Sequence, residues 1–344
     1  MPYQPEGDPL TAKIVLIGEA PAKSEIYEGR PFVGAAGQVL NECLESAGIL
    51  RSECYLTNVF DFMVKKGQGS SKANIYDPET DVLLWSPRSG LTKAADIHKD
   101  RLWQELNQTR ANVIVPCGGP ALEAVCGLRG ITKWRGSIVP ATRATGAPAP
   151  RKCVPTIHPA NALYGMYTVR YIIRSDMERA AKESAFPEIN RPQYEFPMHL
   201  TFEKCMDYLD WLRKNCNPIA VDIEVAHKQV SCIAYAWSPL EAVSIPYGMG
   251  GWSLQQEAAL WRATAVLLED ESITKIFQNG AFDVQFLFQV HDILVQGNLE
   301  DTMIANHIMY ADFPKSLAFL ASIYTDQPYW KDMVKHGEID KEDG

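Results

Sequence analysis

Between Gly18 and Gly37 the chain reads GEAPAKSEIYEGRPFVGAAG. Two carboxylates, Glu19 and Glu25, lie close together there, and Pro21 fixes the backbone between them. Phe32 offers a flat face among glycines that let a ligand approach the main chain. Such a set can stack a planar group and place a carboxylate beside it. A second set lies in the other half. Asp222-Ile-Glu224 puts two carboxylates on one face of a strand, because side chains alternate with period two. A third, Asp283, closes Asn279-Gly-Ala-Phe-Asp283 at the start of a helical pattern. Carboxylates from a strand and a helix are able to hold two divalent cations that activate water for phosphodiester cleavage. Taken alone, each motif also has an ordinary reading: a packed strand-turn-helix with a core Phe, and a solvated strand edge.

Both sets need scaffolds, and the hydrophobic patterning supplies them. Lys13-Ile-Val-Leu-Ile-Gly18 has the continuous apolar character of a buried strand, and it delivers the Glu19 loop at its carboxyl end. Parallel α/β sheets bind their ligands at that end. Further strands are predicted over 55–59, 112–119 and 152–158, with helices over 38–47, 99–108, 120–126 and 166–183. Residues 65–95 are polar and predict a long surface excursion, and 141–150 a loop. Ala185 to Pro197 carries three prolines and marks a linker. Beyond it the pattern restarts with a helix over 202–215, then a meander of strands over 218–224, 231–237 and 242–246. Helix 254–269, strand 275–280 and helices 281–289, 299–310 and 315–324 follow. The division is therefore 1–185, a linker at 186–197, and 198–344.

Composition is that of an ordinary globular protein, 46% hydrophobic and 22% charged over 344 residues, long enough for about two domains. The apolar runs are too short for a membrane span, and the N-terminus lacks the pattern of a secretory signal. Eight cysteines, none in a C-x-x-C pair, fit reduced thiols in a cytoplasmic protein, here of a bacterium or a phage-infected host. The net charge of −9 is uneven: residues 1–190 carry about +2 and residues 191–344 about −11. The acidic half is not a phosphate-binding surface on average, although metal ions held by its carboxylates would change that.

Three segments in order, Gly18-Glu-Ala-Pro with Gly29-Arg-Pro-Phe-Val-Gly34, Cys54-Tyr-Leu-Thr-Asn58-Val, and Pro155-Thr-Ile-His158-Pro-Ala, resemble the family-4 uracil-DNA glycosylases. The resemblance covers roughly residues 11–185 and implies a three-layer α/β/α fold around a parallel sheet. It implies that Phe32 stacks on a flipped-out uracil, that Asn58 pairs with its Watson–Crick edge, and that Ala20, Pro21 and Ala22 line the base pocket. His158 would hydrogen-bond the carbonyl oxygen that gains charge, and Glu19 or Glu25 would position water or stabilise the cationic sugar. By the same resemblance, basic residues among Arg129, Lys133, Arg135, Arg143, Arg151 and Lys152 would contact DNA, and Leu163, Tyr164 and Met166 would fill the emptied stack. Two departures stand out. The family's iron–sulfur cysteines are missing, so no cluster is expected, and Ala22 stands where the family prefers Gly.

Asp222-Ile-Glu224, Asn279-Gly-Ala-Phe-Asp283, Glu300-Asp301-Thr-Met and Ser316-Leu-Ala-Phe-Leu-Ala-Ser-Ile-Tyr324 resemble the 3′–5′ proofreading exonuclease domain of phage-type family A DNA polymerases. That implies a ribonuclease H-like fold with a mixed sheet. It implies Mg²⁺ or Mn²⁺ on Asp222, Glu224 and Asp283, with Asn279 and Asp301 supporting the site. The family's last motif, Tyr-x-x-x-Asp, is missing, which predicts an incomplete and impaired nuclease, with a polymerase domain downstream in the full-length protein. The expected partner is uracil-containing DNA, single- or double-stranded, and no membrane. A non-catalytic uracil or single-strand recognition module and a DNA-holding scaffold are the alternatives to an active glycosylase.

Overall fold

The computed structural model describes residues 3–143, 150–163, 167–197, 199–248 and 251–330. Two compact units emerge, 1–190 together with 318–344, and 191–317.

The first unit opens with β1 (Ile14–Gly18), α1 (Lys23–Glu28) and α2 (Ala35–Ser46), then β2 (Cys54–Asn58). Four short strands follow, β3 (Lys65–Lys66), β4 (Ile75–Tyr76), β5 (Leu83–Ser86) and β6 (Gly90–Leu91). Next come α3 (Asp96–Gln108), β7 (Val113–Pro116), α4 (Gly119–Cys126), α5 (Ile131–Trp134), β8 (Val139–Pro140), β9 (Lys152–Cys153) and α6 (Tyr167–Glu183). The main sheet runs β2-β1-β7-β9-β8, parallel except for β8. Every β1 side chain is buried, and the alternation sends them to two different cores. Ile14 and Leu16 pack with Leu40, Leu44, Ile173 and Met177 of α2 and α6. Val15 and Ile17 pack with Leu102, Leu106, Ala121 and Val125 of α3 and α4. Helices therefore cover both faces, the three-layer arrangement that continuous apolar strands require.

The stretch 65–95 is not an irregular excursion. It folds as a separate antiparallel sheet, β3-β4-β5-β6, because Ile75 and Leu84 bury themselves in the core beside Val15 and Phe60. The apolar residues are scattered in short strands among many polar ones, which gives too weak a period to read. The strand predicted at 152–158 pairs only over Lys152–Cys153, with one further bridge from Thr156 to Cys117.

In the second unit α7 (Phe202–Asn215) precedes β10 (Ile219–Ala226), β11 (Gln229–Ala236) and β12 (Ala242–Pro246). Then come α8 (Leu254–Leu268), β13 (Lys275–Phe277), α9 (Ala281–His291), β14 (Leu299–Asp301) and α10 (Thr302–Met309). The sheet is mixed: β12-β11-β10 is antiparallel, and β13 and β14 add in parallel. The helix predicted over 299–310 thus begins as a strand. Asp301 ends β14 and caps α10, accepting from Met303 N at 2.8 Å and Ile304 N at 3.2 Å.

The last helix, α11 (Leu317–Tyr324), groups with the first unit from Ala318 onward. The reason is a buried polar network. Arg135 is 2% exposed, pairs with Asp176, and donates to Ser322 Oγ at 2.7 Å. Asp176 also accepts from Thr156 Oγ1 at 2.7 Å. Arg179 donates to Thr325 O at 2.6 Å, and Tyr329 N to Ser137 Oγ at 3.1 Å. No helix among the described residues is long and apolar enough to cross a membrane.

Breaking this network from one side strands a buried charge. Asp176→Ala is expected to lower unfolding free energy by about 3–5 kcal/mol, read by urea denaturation, whereas the paired change Arg135→Met with Asp176→Leu recovers most of the loss.

Candidate active site

Gly18 is where the first site closes. It ends β1 in register with Asn58 of β2. A Cβ on Gly18 would lie 2.1 Å from Asn58 Oδ1 and 2.8 Å from Phe32 Cζ, so only glycine lets the amide and the ring meet there. The Phe32 and His158 rings are 6.2 Å apart and inclined by 28°. Gly118, following β7, lies under the imidazole, 3.2 Å from His158 Cβ by the same construction. Phe32, Asn58 and His158, separated by up to 126 residues in sequence, thus converge at the carboxyl ends of neighbouring strands. Phe32 and Asn58 are each 3% exposed.

The loop carrying Phe32 is clamped from two sides. Glu25, in α1, accepts from Ala22 N at 2.6 Å and from Phe32 N at 2.5 Å. Burial raises its pKa against the lowering by these two N–H groups and Arg51. From the other side Arg51 donates to Pro31 O at 2.8 Å and Phe32 O at 3.2 Å, while a bidentate pair with Glu6 fixes the guanidinium. Phe32 needs this restraint because its φ is +51°, a region that costs a non-glycine residue about 1–3 kcal/mol. Gly37 completes the seat, since a Cβ there would stand 1.9 Å from Phe32 O.

Both glutamates of the motif are therefore placed, but differently. Both Glu25 oxygens are occupied by the main chain, which makes it a positioning group. Glu19 follows β1 directly, and its carboxylate pairs with Lys66 of β3. Ala20 is partly buried, Pro21 is buried and Ala22 is exposed. His158 Nδ1 accepts from Ala160 N at 3.2 Å, so the ring proton resides on Nε2. Burial holds the His158 pKa below 6.5; the Glu19 charge pulls it up and the Lys66 charge adds to the lowering. Asn58 Nδ2 donates to the Tyr3 hydroxyl at 2.6 Å, leaving one amide hydrogen and Oδ1 for a ligand. Burial raises the Tyr3 pKa, so its phenol stays neutral. Arg101 donates to Asn58 O at 2.6 Å and Val59 O at 2.9 Å and pins the strand end.

The basic residues do not form one face. Arg135, Arg151 and Lys152 are buried, which corrects the expectation that Arg135 meets DNA. Lys152 pairs with Glu183 at 2.9 Å and lies 3.5 Å over the Phe186 ring, and Arg151 donates to Thr109 Oγ1 at 2.5 Å. Their apolar stems complete a core, a role that sequence alone does not distinguish from a solvated patch. Arg129, Lys133 and Arg143 are exposed. Leu163 is exposed at the end of the 3-10 turn Pro159–Leu163 that leaves His158. Tyr164 and Met166 lie outside the described residues.

In the second unit, Asp222 and Glu224 share the exposed face of β10, as the alternation requires. Asp283, in the first turn of α9, is buried and accepts from Ile223 N at 3.1 Å, between the two. Burial raises its pKa, and the nearby Asp301 and Glu224 charges add to the rise. Asn279, at φ +62°, and Gly280 donate to Asp301 at 3.2 and 2.8 Å. These bonds and the α10 cap outweigh burial, and the Asp301 pKa falls. Yet among the described residues no three His, Cys, Asp or Glu side chains gather closely enough to hold a metal ion.

Residues 4–186 match the Uracil DNA glycosylase superfamily, and the chain belongs to it. Residues 202–338 match a 3′–5′ exonuclease domain. The type-4 uracil-DNA glycosylase of Sulfurisphaera tokodaii is 30% identical over 188 residues, 53% of this chain and 74% of that protein. That of Thermotoga maritima is 33% identical over 174 residues, 50% and 77%. The match to the Archaeoglobus fulgidus enzyme, 54% identical over 48 residues, spans 24% of that protein. Among solved structures, Escherichia coli RNase D is similar at 21% identity and TM-score 0.32, over 42% of this chain and 36% of that one. Brucella melitensis NrnC with bound Mg²⁺ is similar at 20% identity and TM-score 0.28, over 34% and 58%.

Sequence reasoning missed Tyr3, Arg51 and Lys66. Their contacts to the site span 55 residues for Tyr3, 19 and 20 for Arg51, and 47 for Lys66, and no local pattern announces them. The clamp role of Glu25 is checked by Glu25→Ala, expected to lower stability by about 1–3 kcal/mol through the two freed N–H groups. Urea denaturation reads the loss, and base binding should weaken with it as Phe32 relaxes.

Proposed function

We propose that the first unit hydrolyses the N-glycosidic bond of uracil in DNA. The observation that carries this is the convergence at Gly18 of a clamped ring, a base-reading amide and a neutral histidine. Phe32 stacks on the extruded base, and Asn58 offers one N–H and one oxygen to the imide edge of uracil. As the C1′–N1 bond breaks, the base leaves as an anion and His158 Nε2–H donates to its carbonyl oxygen. A neutral donor avoids desolvating a full positive charge in the ground state. Glu19, paired with Lys66, stabilises the oxocarbenium-like sugar and orients the water; Glu25 positions the loop. Ala20, Pro21 and Ala22 bound the pocket, and Leu163 with Tyr164 fills the emptied stack.

We further infer that this unit works without an iron–sulfur cluster. What supports it is the missing C-x-x-C. For the second unit we infer a Mg²⁺ or Mn²⁺ exonuclease domain on Asp222, Glu224 and Asp283 whose turnover is impaired; what supports the impairment is the lack of a Tyr-x-x-x-Asp pair after Asp301. A downstream polymerase domain is our reading of the phage-type resemblance. It is supported by the apolar side chains left exposed on α9, α10 and their neighbours: Phe282, Phe288, Leu294, Ile304, Ile308 and Met309. A recognition module that holds uracil without cleaving it is the second reading, favoured by the Tyr3 hydroxyl already seated on Asn58.

Uracil release separates the two readings. The full chain, with chelator and an end-labelled oligonucleotide containing one dU, is expected to give alkali-sensitive strands, with none from dT. Glu19→Gln with Glu25→Gln should abolish product; binding of dU without product would establish the recognition reading. Activity requires unprotonated His158, whose pKa is lowered. It should therefore persist as pH falls through about 6.5, the ordinary histidine value, and decline only below it. Nucleolytic shortening of a labelled strand with Mg²⁺ or Mn²⁺ is expected to stay at the level of an Asp222→Ala, Glu224→Ala double variant.

A further inference from the structure

The small sheet β3–β6 stands outside the main sheet, yet one of its side chains reaches the site. We propose that Lys66 is a positioning residue of the glycosylase reaction, its ammonium fixing the Glu19 carboxylate beside His158. The inference rests on the glycosylase reading and extends it to an element outside the main sheet.

Three observations carry it. First, β3 is only Lys65–Lys66, and alternation sends the two side chains apart. Lys65 pairs with Asp81 at 2.7 Å on the outside, and Lys66 pairs with Glu19. Second, the strand that presents Lys66 is held. Lys66 pairs in register with Ile75, which is fully buried in the core against Val15 and Phe60. Gly67 N donates to Asn74 O at 3.0 Å, and a Cβ on Gly67 would lie 2.1 Å from Ser71 O. Third, among the described residues Lys66 is the one side chain bonded to the Glu19 carboxylate. The Phe60 N–H fixes only the Glu19 carbonyl, at 3.0 Å.

Charge makes the arrangement testable. The ionisable groups facing His158 are Glu19, from the loop after β1, and Lys66, from β3; Phe32 and Gly118 pack against it without charge. Lys66 lowers the His158 pKa directly and, by neutralising Glu19, weakens the opposing pull. Removing the ammonium therefore acts in one direction: the imidazole protonates at higher pH, and the neutral donor is lost earlier as pH falls.

The experiment uses the full chain and single-turnover uracil release from a dU oligonucleotide, from about pH 5 to about pH 9. Lys66→Met is expected to slow the step by about tenfold or more and to move the acid limb upward, with dU-DNA affinity within about twofold of wild type. Lys66→Arg restores rate and limb, and Lys65→Met behaves as wild type. An acid limb that stays in place in Lys66→Met, a loss confined to affinity, or failure of arginine to rescue overturns the proposal. Lys66 is half exposed, so folding of each variant is expected and is checked by its melting curve. If folded wild-type protein releases no uracil, the glycosylase reading itself falls and takes this proposal with it, a failure seen before any variant is made.

Discussion

Glu25 accepts two main-chain hydrogen bonds inside the first unit, one from the start of its own helix and one from Phe32. The base site depends on that pair of bonds. Phe32 sits at a positive φ that its backbone does not favour, and it stays there because its N–H and its carbonyl are both held, by Glu25 and Arg51. Release either and the ring loses its approach to Gly18. The acidic motif thus contains one carboxylate bound to the main chain and one paired with a side chain, and burial separates them. Glu25 is enclosed, with no oxygen to spare; Glu19 stands at the strand end with only a lysine on it.

Polarity inside the first unit follows the same economy. Arg135 with Asp176 and Lys152 with Glu183 place full charges in the interior, each matched by a partner and further hydrogen bonds. Buried pairs of this kind add little net stability but make separation costly. Arg135 spends its remaining donor on Ser322, which ties a helix from the far end of the chain to the first unit. The cationic side chains that a sequence presents as a DNA surface are thereby divided: half work inside, and half remain outside.

The second unit shows the opposite condition. Asp222 and Glu224 lie open to solvent, and Asp283 faces the backbone of the strand that bears them. The Asp301 carboxylate, with four backbone N–H groups around it, organises the loop and helix that support the site. Fold and support are in place around these carboxylates.

Much of this was readable from residues alone. Continuous apolar runs at 14–17 and 113–115 announced strands buried on both faces, and period-two carboxylates at 222 and 224 announced a shared strand face. Three short motifs gave the glycosylase family and picked out Phe32, Asn58 and His158 as candidates. The strand readings succeed because strand burial and backbone geometry are properties of neighbouring residues. Tertiary structure alone decided which glutamate is buried, that Arg135 faces Asp176 and not DNA, that residues 65–91 form a sheet, and that Lys66 and Tyr3 reach the site. Each of these is set by contacts between residues tens of positions apart, where burial turns an ordinary charge or amide into a clamp, and no local spacing records that.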